Sequence, residues 1–429
     1  MSFRKINFSL FCFLCLVNRA EAGEPLLESL QKEIHSLTET VAGLQSTVHS
    51  QTDLIQKQSI RINALERGED QAKETAQPAG APRMAGLQGF NPEIGVTGTV
   101  QTKLTENSND GEGNDTIALK ELELNFAQVV DPYSRLDAII SFNDAIENQN
   151  ANIEEAYYTH WELPLGFTGQ IGKFRSKIGK QNLMHLHQLD TTDYPLVIKD
   201  FFGEEGLASS GARLQNMIPN PWDIPVEITG EVLRGNNGPS FSGISRRPIF
   251  NTHVKTYFDL TKDSNLELGW TTLFGDEDPP ILDSNGNKIT RSKGQDRYGV
   301  KVFGGDATFN WFLPEGRKLK WQNEIYFQNR THRVHVNDDP WGFYSLLDFR
   351  FSPRFSTGIR FDYLEPLDVV GQHLRSTQIS PYISFWQSEF ADFKLQYSHV
   401  ESANASANSD NLIVLQADFL IGAHKHPLQ

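Results

Sequence analysis

The sequence predicts an all-β fold, a 16-stranded antiparallel transmembrane β-barrel, preceded by an α-helical coiled coil. Three observations lead to this prediction. Apolar and polar residues alternate at a period of two from residue 91 onward, the connections between these segments alternate in length, and a period of seven comes before them. Period two is typical of strands, and period seven is typical of helices that pair.

The first 22 residues have the features of a secretory signal. Arg4 and Lys5 precede an apolar run from Ile6 to Val17, and Ala20 to Ala22 provides small residues two apart. This order of a basic start, a short apolar run and a small-residue cleavage site is typical of a signal peptide. We therefore expect residues 1–22 to be removed during export.

Both cysteines of the chain, Cys12 and Cys15, lie within this signal. Cleavage would leave a chain without disulfides, which its own sheet must stabilise. A lipoprotein anchor at Cys15 fits less well, because Leu14 precedes it where a small residue is expected. Cleavage also lowers the formal charge from -15 to -17, and so negative a protein does not favour nucleic acid as a partner.

Residues 24–67 carry the seven-residue repeat, and residues 68–90, rich in charge and then in Ala, Pro and Gly, predict a flexible linker. A single amphipathic helix is the alternative, but it would present a wider apolar stripe. Two positions of each of six heptads form the seam: Leu27, Ile34, Val41, Val48, Ile55 and Ile62 at one, and Leu30, Leu37, Leu44, Gln51, Gln58 and Leu65 at the other. An oligomer of two or three chains is expected.

Residues 91–429 predict the barrel, with sixteen strand-like segments from Ile94–Lys103 to Asn411–Ile421. Turns such as Asp131 to Tyr133 and Pro164 to Gly166 alternate with long polar loops such as Gly275 to Asp296. Short turns at one end and long loops at the other are typical of barrels in the bacterial outer membrane. A Greek-key sandwich, the alternative, would mix both kinds of connection at each end.

The hairpin from Trp341 to Tyr363 shows how the two faces differ. Phe343, Leu347 and Phe349 belong to one row, and Asp348 belongs to the other. The chain has no further segment that would cover sixteen such apolar rows, so lipid is their expected cover and the polar rows face inward. The charged residues of the polar rows are predicted to line a pore: Glu121, Glu123, Arg135, Lys320, Glu324, Asp348, Arg350, Arg360 and Asp362.

The longest connection between predicted strands, from the fifth to the sixth, runs from Arg175 to Glu205. The interior of a sixteen-stranded barrel is wide enough for an aqueous channel, and an inward loop of mixed charge would filter solutes by size and field. An external lid or a contact between subunits is the alternative role. The residues predicted to form a constriction are Arg175, Lys177, Lys180, His185, His187, Asp190, Asp193 and Lys199.

Three stretches resemble bacterial outer-membrane porins, and distantly the phosphate-selective porin group: GFNPEIGVTG, GQIGKFRSKIGKQN with HLHQLDTTDYPL after it, and QADFLIGAHKHP. The resemblance covers about residues 89–429. It implies a passive homotrimeric channel for small hydrophilic solutes, embedded in the outer-membrane bilayer, with the long loop inside the lumen. The mixed charges depart from the basic ladder of phosphate-selective relatives, and Phe419 is the aromatic residue nearest the C-terminus, where porins commonly end on one.

Histidines give the one hint of metal chemistry. His185 and His187 lie two apart near Asp190, and His424 and His426 lie two apart in the tail. Zinc sites need three or four ligands in one place, which the sequence alone does not assemble, so no metal and no cofactor is predicted. The sequence has no HExxH motif, phosphate-binding loop or nucleophile elbow, and we expect no enzyme, although a barrel-embedded hydrolase is an alternative.

Two functions of different classes follow from this organisation. The first is the channel described above. The second is a structural anchor, in which the barrel holds the coiled coil in the outer membrane and the coil reaches through the periplasm. At about 1.5 Å per residue the coil would extend roughly 60 Å.

Overall fold

The structure of the chain is a computed structural model. It describes residues 92–106, 115–143, 151–222, 224–242, 246–277, 298–330, 339–367, 374–402 and 409–422, all within the unit Leu87–Gln429. The predicted signal peptide, coiled coil and linker lie outside these residues, as do His424 and His426.

Sixteen strands follow one another along the chain, and each pairs antiparallel with its neighbours in sequence. The first strand also pairs with the last, so the sheet is a closed barrel, as predicted. The strands are β1 (Glu93–Thr105), β2 (Thr116–Asp131), β3 (Ser134–Phe142), β4 (Asn152–Leu163), β5 (Phe167–Arg175), β6 (Ala208–Met217), β7 (Val226–Leu233), β8 (Ile249–Thr261), β9 (Ser264–Glu277), β10 (Tyr298–Leu313), β11 (Arg317–Arg330), β12 (Trp341–Ser352), β13 (Phe355–Glu365), β14 (Ser376–Ser388), β15 (Ala391–Ser402) and β16 (Ser409–Gly422).

The closing seam joins β1 to β16 over eleven residue pairs, from Gly95 with Gly422 to Thr105 with Leu412. Inside the barrel, the Thr99 hydroxyl donates a hydrogen bond of 2.6 Å to Asp418 across this seam. Closure satisfies the backbone donors and acceptors that a sheet edge would leave unpaired.

Connections at the two ends differ as the sequence predicts. The turns after β4 and β10 are single 3₁₀ turns, Pro164–Gly166 and Pro314–Gly316, whose central residues Leu165 and Glu315 both have φ of 65°. The connection between β6 and β7 is longer, at residues 218–225, than the other turns at this end. We call the end of the barrel that contains these turns the turn end, and the opposite end the loop end.

The two faces of each strand differ in exposure. In β11, Trp321 is 51% exposed, whereas its neighbour Gln322 is fully buried. In β13, Phe361 is 40% exposed, whereas Arg360 and Asp362 are fully buried. The predicted apolar rows therefore face outward and the polar rows inward. Among the described residues, no helix has the length and hydropathy required to cross a membrane.

Candidate functional site

The connection between β5 and β6, residues 176–207, lies against the inward face of the barrel. It contains two 3₁₀ turns, Gln181–Leu183 and Leu186–Gln188, and one helix, α1 (Leu196–Phe202). Pro195 precedes α1, and Gly203, at φ of 107°, ends it by donating its N–H to the Lys199 carbonyl at 3.1 Å. The His185 side chain contacts Glu123 of β2, and the Thr192 backbone N–H donates a hydrogen bond to Gln396 of β15, so the loop reaches both sides of the barrel interior.

An apolar core fixes the C-terminal half of this loop. Val197, Ile198, Phe201 and Phe202 of α1 are at most 1% exposed, and the Phe202 ring meets Tyr326 edge-on at 5.4 Å between centroids. Burying side chains of this kind stabilises a packing by about 1.5 to 3 kcal/mol each. The inward-facing apolar residues around α1 belong to strands between β7 and β13 and include Leu233, Leu273, Val302, Leu346 and Leu364.

A single carboxylate holds the beginning of the loop. Glu324 of β11 accepts hydrogen bonds from the backbone N–H groups of Lys180 and Gln181, at 2.9 and 2.8 Å, and from the Tyr344 hydroxyl at 2.7 Å. Gly179 precedes these donors with φ of 53°. A Cβ at this glycine would lie 2.2 Å from a Glu324 oxygen, so the close approach requires glycine.

Matched ion pairs hold the middle of the loop. Arg360 is fully buried and lies 2.9 Å from Asp193 and 2.7 Å from Asp362. Lys320 lies 2.7 Å from Asp190, and Lys199 lies 3.0 Å from Asp193. Burial alone would raise the pKa of Asp193, but Arg360 and Lys199 outweigh burial and lower it below its ordinary value. Asp193 therefore remains charged and paired.

The two loop histidines lie against a group of glutamates on the opposite wall. His185 Nδ1 is 2.9 Å from Glu154 and 3.3 Å from Glu123, and His185 Nε2 is 3.5 Å from Glu155. His187 Nδ1 is 3.5 Å from Glu123. Burial and Arg175 lower the pKa of His185, but the glutamates outweigh them and raise it well above its ordinary value.

More carboxylates surround this group. Oxygens of Glu121, Glu154 and Glu205 lie within 4.8 Å of one another. Arg175, the last residue of β5, lies 3.5 Å from Glu154 and 3.8 Å from Glu155. We call Glu121, Glu123, Glu154, Glu155 and Glu205 the glutamate cluster.

Two β-bulges orient the cluster. In the pairing of β1 with β2, Thr99 faces Glu121 and Val100 faces Leu119, so Lys120 is the extra residue. In the pairing of β3 with β4, Ile139 faces Glu155 and Ile140 faces Ile153, so Glu154 is the extra residue. A bulge redirects side chains, and here it lets the adjacent residues Glu154 and Glu155 both point inward.

The sequence-predicted site residues fall into separate groups. All of the predicted pore-lining residues lie on inward faces of the barrel. The two loop histidines contact the glutamates, and not Asp190. Arg135 forms ion pairs with Asp137 and Glu93 near the turn end. Asp348 accepts a hydrogen bond from the Tyr382 hydroxyl at 2.8 Å. The guanidinium of Arg350 lies 4.4 Å from the Trp386 ring. Lys177 pairs with Glu227, and Lys180 lies 3.7 Å from Glu267.

Sequence reasoning missed several inward-facing residues. They are Glu154, Glu155, Arg213, Glu231, Lys394 and Asp418, all of which make ion pairs within the barrel. Alternation applied to β15 and β16 places Lys394 and Asp418 inward and would have identified them. Glu154 lies in a bulge, so alternation alone gives no signal for it.

Two cavities lie beside His187 and Gln188. One, of about 250 Å³, is bordered by Glu123, Arg135 and His185, and the other, of about 490 Å³, by Lys318, Lys320 and Asp392. Both cavities are lined by acidic and basic residues, with arginines among the bases of the first and Lys318, Lys320 and Lys394 among those of the second.

No family model matches the sequence. An uncharacterised protein of Aquifex aeolicus is 28% identical over 348 residues, which cover 71% of this chain and 69% of that protein. Among solved structures, OprB of Pseudomonas putida matches with a TM-score of 0.53 at 11% identity, over 81% of this chain and 100% of that one. OmpF of Salmonella typhi matches with a TM-score of 0.51 at 8% identity, over 77% and 97%.

The barrel shares its fold with these solved structures. An anion-selective porin of Comamonas acidovorans shares it as well, with a TM-score of 0.50 at 9% identity over 77% of this chain and 100% of that one. At these identities the likeness establishes the architecture, and solute and selectivity must be argued from the residues of this chain.

Proposed function

We propose that the protein is an outer-membrane porin, a passive diffusion channel for small hydrophilic solutes or ions. The observation that supports it best is the division of the closed barrel into two surfaces. Large apolar side chains such as Trp321, Leu347 and Phe361 are 40% or more exposed, while polar and charged residues occupy the inward face. Hydrocarbon is the natural environment of the first surface, and water of the second.

The loop of residues 176–207 is proposed to narrow this channel. It is anchored to opposite walls, through Glu324 on β11 and through Glu123 and Glu154 on β2 and β4. The apolar core around α1 fills the interior next to β12 and β13. Solutes would pass beside residues 187–190, where the two cavities lie, and would meet acidic and basic side chains in both.

The inward charges support a channel without strong preference for phosphate. Lys320, Arg360 and Lys394, which a basic ladder would leave available, are paired with Asp190, Asp193 and Asp418. An oligomer, with a trimer favoured by the porin resemblance, and a periplasmic coil formed by residues 24–67 complete the proposal.

Single-channel conductance in planar bilayers tests the function. The purified protein should produce discrete conductance steps, and replacing residues 186–200 with a short Gly-Ser linker should increase the step size severalfold. Shortening residues 278–297 by the same number of residues is the matched control, because that connection lies between β9 and β10 and should leave the step size close to wild type. A protein that inserts but produces no steps, with or without the loop, would favour the structural anchor.

A further inference from the structure

The glutamate cluster contains more carboxyl groups than basic groups that contact it. Arg175, His185 and His187 are the basic groups for which the described residues show direct contact with it. Even with a proton on both imidazoles, three positive charges face five carboxylates. Arg213, which lies nearby, is already paired with Glu231 at 2.6 Å. Uncompensated charge in a buried position is costly, so the cluster must either keep protons on some of its carboxyl groups or bind a further cation.

Buried carboxylate oxygens without a hydrogen-bond partner indicate where a cation would bind. Glu123 is 1% exposed, and in the described part of the chain neither of its carboxylate oxygens has a hydrogen-bond partner. Glu154 is 4% exposed, and its Oε1 is in the same condition, whereas its Oε2 lies 2.9 Å from His185 Nδ1. Buried carboxylates normally accept hydrogen bonds from protein groups. Glu123 Oε1 instead faces two imidazole nitrogens at longer distances, His185 Nδ1 at 3.3 Å and His187 Nδ1 at 3.5 Å.

The spacing of these atoms matches a metal coordination sphere. One ligand atom each from Glu123, Glu154 and His185 lies within 4.8 Å of the other two, and the Nδ1-to-oxygen distances are 2.9 and 3.3 Å. Zinc bonds of about 2.0 to 2.1 Å in tetrahedral geometry place ligands roughly 3.3 Å apart. The cluster therefore accommodates a cation with little movement.

Glu155 adds the support that such a site needs. Its carboxylate lies 3.5 Å from His185 Nε2, the nitrogen on the other side of the ring from the ligand atom. A carboxylate in this position orients a metal-binding histidine and fixes which nitrogen faces the metal. The cavity bordered by Glu123 and His185 gives room for a water molecule as a fourth ligand.

We propose that Glu123, Glu154 and His185 bind one divalent cation of the zinc type, which fastens the long loop to strands β2 and β4. The cation takes the place of the Nδ1 proton of His185 and neutralises the two carboxylates that coordinate it. Glu155 is a positioning residue for the histidine. This site goes beyond the proposed channel, since metal binding is measured without any conductance.

Metal binding by the full-length protein in detergent tests the proposal. After chelator treatment and dialysis, zinc affinity is measured by competition with a chromogenic chelator, and cobalt is added as a spectroscopic probe of coordination. We expect one tight zinc equivalent and the intense visible absorption of four-coordinate cobalt. His185→Gln and Glu123→Gln should weaken zinc binding by at least about 100-fold, and Glu155→Gln by about 10- to 100-fold.

His253→Gln is the matched control, because His253 is also buried and inward-facing, and hydrogen-bonds to Thr271 at 2.9 Å away from the cluster. It should bind zinc as the wild type does. If wild type and His185→Gln bind zinc equally, the metal is held elsewhere, as by the tail histidines, and the proposal is wrong. If a variant fails to fold, the wild-type cobalt spectrum decides alone, and an octahedral, weakly absorbing spectrum overturns the site.

Discussion

The loop of residues 176–207 is held at two places that differ in how their charges balance. At Asp190 and Asp193, each carboxylate meets a cation of the opposite wall, Lys320 or Arg360. At His185, the glutamates exceed the basic groups that contact them. The first anchorage needs nothing beyond the chain itself, whereas the second needs protons or a cation. The strength of the second anchorage therefore depends on the pH and on the cations in the surrounding solution.

Breaking the balanced anchorage should have the largest effect. Arg360→Gln leaves the fully buried Asp362 without its cation, and removing one partner of a buried ion pair costs about 3 to 5 kcal/mol. We expect the loop to detach far more often. Cleavage after Phe201 or Phe202 by chymotrypsin, in detergent solution, should accelerate by at least about 100-fold, since such cleavage follows the population of the open form.

Lys199→Ala is the matched control for that variant. Lys199 pairs with the same Asp193, but its side chain is 23% exposed, and pairs of this kind contribute about 0 to 1 kcal/mol. Its cleavage rate should stay within about fivefold of wild type. Equal acceleration in both variants would mean that burial does not set the strength of this anchorage.

Gly179→Ala should give the next largest effect, because it disturbs the Glu324 contact without changing any charge. A Cβ would lie 2.2 Å from a Glu324 oxygen and 2.3 Å from the Tyr326 hydroxyl, at a residue with positive φ. Strain and overpacking together should cost about 2 to 4 kcal/mol. The same cleavage measurement checks this, with Gly316→Ala as the control, because Gly316 also has positive φ but a Cβ there would meet nothing within 4 Å.

The smallest predicted effect concerns pH. Burial raises the pKa of Asp200, on α1, from 3.8 to about 6, although Arg330 partly opposes the shift. A raised pKa means that the docked loop binds this proton more tightly than the released loop, so docking weakens as pH rises from about 4 to about 6 and stays weaker above. The loss is at most about 3 kcal/mol, since one pKa unit corresponds to about 1.4 kcal/mol.

Asp200→Asn removes this titration. The ratio of wild-type to Asp200→Asn cleavage rates should therefore increase with pH across that interval and level off near pH 7. A ratio that does not change with pH would show that the carboxyl is solvated in the docked loop.

Much of the barrel could be predicted from the sequence, because period two and connection length depend on local residues. The inward positions of Glu324, Arg360 and Asp362 follow from alternation alone. Glu154 and Glu155 did not follow, because adjacent residues point to opposite faces unless a bulge intervenes, and the bulge depends on the pairing with β3. His185 was expected near Asp190 because the two are close in sequence. Its contacts with the glutamates are formed across the barrel, and sequence spacing does not reveal them.

The hydrogen bond from Thr99 to Asp418 joins residues 319 positions apart. Synthesis of the chain must reach its final strand before this bond, or any backbone pair between β1 and β16, can form. Until that moment both outer strands have unpaired amides and carbonyls, which attract other chains. Contacts so distant in sequence also form slowly, so the newly made polypeptide depends on being kept apart from its copies until its two ends meet.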